Sequence, residues 1–276
     1  MDTHVQRLKE ATAFLKNKIP HPIKTAIILG SGLGNLVESI QIQESIPYST
    51  IPNFPISTIE GHSGTLIVGY LNGVAIIAMS GRFHFYEGYN SNEVVFPIRV
   101  LSSLGIKNML LSNAAGGVNT QYKIGDLMII KDHIGLFVPN PLVGKNLPEF
   151  GTRFPDMSEP YSKQFISIAK KIALDNQLFL HEGVYVGVTG PSYETRAEYN
   201  VILTLGGDVV GMSTVQENIV AVHCGIKVFG ISIITDVGIR TEDNIITHDE
   251  VLIAAKSAEP KLTILFKNLV KEIELI

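Results

Sequence analysis

In this chain of 276 residues, the side chains best suited to chemistry are concentrated in Gly81-Arg82-Phe83-His84-Phe85-Tyr86-Glu87-Gly88-Tyr89. The apolar run Val74 to Met79 ahead of it reads as a strand. Arg82 and His84, two apart in extended backbone, then point to one side, and Tyr86 continues the row. A cation, an imidazole and a phenol in one row suit an anion attached to something with hydroxyls, because the planar Arg fork matches phosphate or carboxylate. The same spacing also fits a polar strand end with aromatics turned into a core.

Four more stretches carry small or hydroxyl-bearing residues after apolar segments. Gly30-Ser31-Gly32-Leu33-Gly34 follows Thr25 to Leu29. It matches a dinucleotide fingerprint only loosely, lacking the last glycine and an acidic residue closing a second strand. A phosphate site of backbone N–H groups plus the Ser31 hydroxyl, or a plain tight turn, fits better. Asn113-Ala114-Ala115-Gly116-Gly117 would let a flat ligand reach the backbone, or simply pack closely. In Thr189 to Thr195, Glu194 is predicted in the first turn of a helix, where it favours the dipole or, beside Tyr193, accepts from the N–H edge of a stacked base. Gly211-Met212-Ser213-Thr214 offers hydroxyls at a helix start, as an N-cap or as phosphate donors.

These segments need a scaffold, and the periodicity supplies one. Helices are predicted from Val5 to Leu15, about 92–104, 163–176, 194–205, 216–224 and 248–273, the last interrupted near Pro260. Strands are predicted at 25–29, in a hairpin over 66–79, and at 108–111, 126–132, 183–188, 209–212 and 228–234. Residues 137–159 read as a long loop, and loops of that length are usually functional. The alternation predicts an α/β fold, a central mixed β-sheet flanked by helices, with residues 1–276 as a single domain. Ser31, Asn113, Thr189-Gly190, Met212-Ser213 and Thr235-Asp236 all fall at strand C-terminal ends, where open α/β sheets bind ligands.

Composition narrows the class. Hydrophobic residues make up 45%, the formal net charge is −4, and no Lys/Arg-rich run occurs, which disfavours nucleic acid as a partner. The single cysteine, Cys224, excludes an intrachain disulfide and fits a reducing cytoplasm. No apolar run reaches the ~20 residues of a membrane span. The histidines form no H-x-x-x-H pair and no Gly-x-Ser-x-Gly elbow occurs, so no metal and no serine nucleophile are expected.

Together with Gly61-His62, Arg153-Phe154-Pro155-Asp156-Met157 and His248, these motifs resemble the trimeric, low-molecular-mass purine nucleoside phosphorylases along nearly the whole chain. The resemblance implies a homotrimer without metal or organic cofactor. It implies reversible phosphorolysis of inosine, guanosine and their deoxy forms, with orthophosphate as co-substrate. By the same resemblance, phosphate is held by Ser31, Arg82, His84, Ser213 and the Ala114 N–H beside Asn113, under a loop carrying His62. Ribose meets Tyr86, Met212 and His248. The base lies among Ala114, Ala115, Tyr193, Val210 and Met212, with Glu194 accepting from N1–H, and Phe154 arrives from a neighbouring subunit. His84, Glu194, Asp236 and His248 are the candidates for direct roles in the reaction. Asp236 departs from the vertebrate-type pattern, where an Asn amide donates to the base; a carboxylate donates only when protonated. Two readings therefore stand beside the first: a methylthioadenosine or adenosine phosphorylase, and a non-catalytic nucleoside-binding protein of this fold.

Overall fold

The computed structural model describes residues 3–30, 33–56, 63–239 and 247–276. Among them, nine strands form one sheet: β1 (Thr25–Leu29), β2 (Ile40–Pro47), β3 (Thr65–Leu71), β4 (Val74–Ser80), β5 (Asn108–Gly117), β6 (Leu127–Ile134), β7 (Leu180–Gly187), β8 (Val209–Gly211) and β9 (Lys227–Val237). The helices are α1 (Thr3–Lys16), α2 (Ser91–Val94), α3 (Phe96–Ser103), α4 (Lys163–Asp175), α5 (Arg196–Thr204), α6 (Val215–His223) and α7 (His248–Glu274).

The sheet is mixed, as its sequence pattern predicts, but it is not open. Its order is β2-β3-β4-β1-β5-β8-β7-β6-β9, and β5 also pairs with β9, so five strands close into a ring. Strand length explains the closure. β1 has five residues and β5 has ten, so β1 covers only Asn108 to Leu111. The rest of β5 continues beyond β1, paired in parallel with β9 along its length and antiparallel with β8 at Gly116 and Gly117. The stretch Ser112 to Gly117 is therefore strand, not the post-strand turn that its small residues suggest.

The mismatch leaves one edge of β5 without a strand neighbour from Ser112 to Ala115, between the last β1 partner and the first β8 partner. Backbone groups alternate in direction along a strand. The β5–β9 ladder slips between Ala115 and Gly116, so that Asp236 rather than Thr235 stands opposite Gly116. Such a bulge re-aims the side chains that follow it.

The core forms because β1, β5 and β9 are buried on both faces. α7 lays Leu262, Leu265, Phe266 and Leu269 against β9 and β5. Its Pro260 does not interrupt it: the proline and Lys256, one turn back, both face outward, while Ala258, Glu259 and Leu262 are buried. Packing of that face outweighs the ~3 kcal/mol cost of an interior proline. The predicted helix over 92–104 is two, α2 and α3, broken at Val95, with Pro97 in the first turn of α3. β2 and the 3₁₀ turn Gly34–Ser39, in place of an α-helix after the first glycine cluster, have no counterpart in the predicted elements.

Phe229 is fully buried on β9, its ring 6.4 Å from that of Phe266. Phe229→Ala is expected to lower stability by about 3–5 kcal/mol through the cavity it leaves, read as a lower urea midpoint with unchanged slope.

Candidate active site

Where β5 lacks a neighbour, Arg82 takes the place of a strand. Its Nη1 donates to the Ser112 carbonyl at 2.6 Å and to Ser213 Oγ at 3.4 Å, and its Nε donates to Glu217 Oε1 at 3.0 Å. Ser112 and Ala114 are two apart, so the Ala114 N–H leaves β5 on the same edge as the carbonyl that Arg82 binds. Gly30 makes room for this arrangement, since an added Cβ would lie 2.8 Å from the Ser112 carbonyl oxygen and 3.3 Å from Arg82 Nη1. Arg82 and Glu217 are 2% and 4% exposed, which makes theirs a buried ion pair.

The turn that delivers Ser213 is held under strain. Thr214 has φ +67, unusual for a β-branched residue. Asn113 Nδ2 donates to Thr214 Oγ1 at 2.9 Å, and the Ser213 N–H donates to the Tyr185 hydroxyl at 3.2 Å. Thr214 is the N-cap of α6 by position, yet its hydroxyl makes no capping bond. The Asn113 amide thus positions the turn.

His84 is fixed by Glu87, whose Oε1 lies 2.9 Å from Nδ1 and accepts the His84 backbone N–H at 2.8 Å. Burial lowers the imidazole pKa, against the pull of Glu87. Tyr86 does not continue the extended row, because Phe85–Glu87 is a 3₁₀ turn that swings it round. The turn stacks it on His84 instead, with ring centroids 4.7 Å apart.

The opposite wall is acidic. Thr195 caps α5: its Oγ1 accepts the Glu198 N–H at 3.2 Å, while Glu198 Oε2 accepts the Thr195 N–H at 2.7 Å. That capping box starts the helix two residues beyond Glu194, so Glu194 stands before the first turn and faces a cavity. Its carboxyl pKa is raised, chiefly by burial, with Asp236 adding to the effect and its own backbone N–H and Tyr199 opposing it. Asp236 is 5% exposed and accepts from the hydroxyls of Thr235 at 3.3 Å and Tyr199 at 3.4 Å.

One cavity of about 410 Å³ joins the two walls. Arg82, His84, Tyr86, Asn113, Ala114 and Ser213 line one part; Ala115, Tyr193, Glu194, Val210, Met212 and Asp236 line the other, and His248 at the start of α7 closes it. Phe154 lies outside the cavity and is 86% exposed. Ser31 and His62 lie outside the described residues. Sequence reasoning did not single out Glu217, Tyr185 or Tyr199. Glu217 and Tyr199 sit inside helices, and only the buried faces of α6 and α5 reveal them.

Residues 24–271 match the model of the Phosphorylase superfamily, the class that this ring-closed sheet and its cavity define. The chain is 49% identical over 268 residues to purine nucleoside phosphorylase 1 of Bacillus subtilis, covering 97% of this chain and 99% of that one. It is 52% identical over 245 residues to purine nucleoside phosphorylase 1 of Geobacillus stearothermophilus, covering 89% of each. A crystal structure of Schistosoma mansoni purine nucleoside phosphorylase in complex with inosine is 40% identical, with a TM-score of 0.91 over 96% of each chain. The chain belongs to the purine nucleoside phosphorylases.

The raised Glu194 pKa has a signed consequence. Between its ordinary value of 4.5 and its raised one, the folded protein keeps a proton that the unfolded chain has released. This group's contribution to stability therefore falls as pH rises through that window. Glu194→Gln is expected to melt at a temperature that gains on the unsubstituted protein from acid to neutral pH, as read by thermal unfolding across that range.

Proposed function

We propose that the protein catalyses reversible phosphorolysis of inosine, guanosine and their deoxy forms, giving the free purine and (deoxy)ribose 1-phosphate. One observation carries the assignment of roles: a single cavity has a cationic, donor-rich end at Arg82, Ala114 and Ser213 and a carboxylate end at Glu194 and Asp236. Orthophosphate belongs at the first end and the base at the second. Ser31 and His62 are assigned to the phosphate end on sequence grounds.

In the forward reaction a phosphate oxygen bonds to C1′ as the C1′–N9 bond breaks, and the bond electrons leave with the purine. Phosphate itself supplies the nucleophile, so the protein orients the reactants and stabilises charge. Arg82 is held by Glu217 and Ser112 and cannot follow the anion as it moves. A bound phosphate dianion favours the protonated form of His84, opposing the burial that lowers the imidazole pKa. Tyr86, Met212 and His248 bracket the ribose. Glu194 accepts from N1–H, and a protonated Asp236 delivers a proton to N7, which neutralises the leaving base. Orthophosphate is the co-substrate, and the scheme requires no metal or organic cofactor. The protein works in purine salvage in the cytoplasm, the compartment that its lone Cys224 fits.

Double substitution Arg82→Ala with Glu217→Gln removes the guanidinium without stranding a carboxylate. It is expected to raise the phosphate KM by roughly 10- to 150-fold, the scale of a lost charged hydrogen bond, with a much smaller change in nucleoside binding measured without phosphate. An unchanged phosphate KM in steady-state assays on inosine overturns the assignment.

The working form in this reading is a homotrimer in which Phe154 completes a neighbour's ribose pocket. An exposed ring on the long loop, its centroid 5.6 Å from Arg153 Cζ, supports it. Phe154→Ala is expected to raise nucleoside KM about tenfold, in line with loss of one buried aromatic contact, while the protein stays folded. A fully active monomer in sedimentation runs contradicts this.

A further inference from the structure

Tyr199 stands between the two carboxylates at the base end. Its hydroxyl donates to Asp236 Oδ2 at 3.4 Å and also hydrogen-bonds with Glu194. Tyr199 is 3% exposed, packed among Val118, Val186, Ile202 and Val210. On the other side Gly238 closes on the ring, where an added Cβ would lie 2.0 Å from it. The hydroxyl is therefore held between its two partners. Gly116 leaves the pair open to a planar ligand, since a Cβ there would lie 3.1 Å from Asp236 Oδ2 and 3.3 Å from the Tyr199 oxygen.

Two carboxylates bridged by one phenol titrate as a unit, and the first proton they take belongs to the pair. We propose that Glu194, Tyr199 and Asp236 share one proton whose position adapts to the purine edge, so that the same residues read 6-oxo and 6-amino purines. The proposal rests on the purine nucleoside reading above and extends it to adenine nucleosides.

The donors and acceptors can be followed for each base. A 6-oxopurine donates from N1–H, so Glu194 is ionised and the shared proton lies on Asp236, which donates to N7. A 6-aminopurine has a bare N1 and donates from its amino group. The proton then lies on Glu194, which donates to N1, while ionised Asp236 accepts from the amino N–H. To pass from one arrangement to the other, Asp236 releases its proton to the phenol oxygen as the phenol releases its own to Glu194. One O–H bond breaks and one forms at Tyr199, with no net change in charge. Tyr199 donates to whichever carboxylate is ionised and is a positioning residue. Burial, which raises the Glu194 pKa, favours its taking the proton. The other titratable or charged groups around the pair are Tyr193 before α5, Glu198 in its first turn, His248 on α7, and Arg82 and His84 across the cavity.

The test is calorimetric titration of hypoxanthine and of adenine, in phosphate, in buffers of different ionisation enthalpy. It compares the unsubstituted protein with Tyr199→Phe and Asp236→Asn. Both bases are expected to bind the unsubstituted protein with the same proton uptake. In Asp236→Asn the shared proton has lost one of its two sites, so adenine is expected to take up about one proton more than hypoxanthine. In Tyr199→Phe, Glu194 keeps its backbone N–H as a donor, whereas Asp236 keeps only the Thr235 hydroxyl, whose proton the Ala115 carbonyl also accepts at 3.4 Å, so the greater loss falls on the ionised Asp236 that adenine requires. Because a phenol–carboxylate bond is lost with either base, only the difference between the two losses moves the adenine-to-hypoxanthine affinity ratio, which is expected to fall about fivefold. A ratio that holds or rises in Tyr199→Phe, adenine that fails to bind, or adenine that takes up a whole extra proton on the unsubstituted protein each overturns the proposal. Should Tyr199→Phe not fold, the proton counts for the other two proteins decide. Hypoxanthine that fails to bind the unsubstituted protein removes the nucleoside reading itself, which separates the two failures.

Discussion

The buried pair of Arg82 and Glu217 is the constraint on which the site depends. It joins the segment after β4 to α6, and through the Ser112 carbonyl it also joins both to β5. Two charges removed from water at this depth are tolerable only while each satisfies the other, and breaking such a pair costs about 3–5 kcal/mol. The pair therefore locks three elements at one distance. The guanidinium fills the edge of β5 that β1 leaves open, reaches the Ser213 hydroxyl beside the strained Thr214 turn, and requires the close approach of Gly30.

The cavity separates its electrostatics by strand. The end governed by β4 and β5 offers a fixed cation, a backbone donor and hydroxyls. The end governed by β9 and the loop before α5 offers two carboxylates, and burial together with the neighbouring Asp236 discourages charge on Glu194. The first end suits an anion that is charged throughout the reaction. The second suits a neutral heterocycle that becomes negative as it leaves. Titratable acids at that end can meet a change of charge in a ligand by shifting a proton.

Much of this could be read from the sequence, and the misses have definite causes. Buried strands, the hairpin and the long loop are legible because apolar runs and turn residues are local signals. Arg82, His84 and Asp236 are legible as residue types at strand ends, and Glu194 as an acid near a helix start. What fails is whatever depends on length or register between distant segments. Ring closure follows from β5 outrunning β1, which neither segment shows alone. The placing of Asp236 follows from a one-residue slip against β5. Glu194 lies outside the first turn because the Thr195 and Glu198 box claims the helix start, a signal that was present in the sequence. Glu217 is one acid in a helix, and only tertiary packing distinguishes it from a solvated charge.

The Arg82 to Glu217 contact spans 135 positions of the chain. Closing so long a loop is an entropic toll on the speed of folding. During synthesis from the N-terminus, β1, β4 and the first half of β5 emerge well before the carboxylate that neutralises their arginine. The Arg82 end of the cavity is thus begun early in translation and completed only once α6 has been made. A nascent chain halted before α6 carries a hydrated, unsheltered guanidinium and an unclosed β5, the state in which chaperone contact or exposure to proteases has most effect.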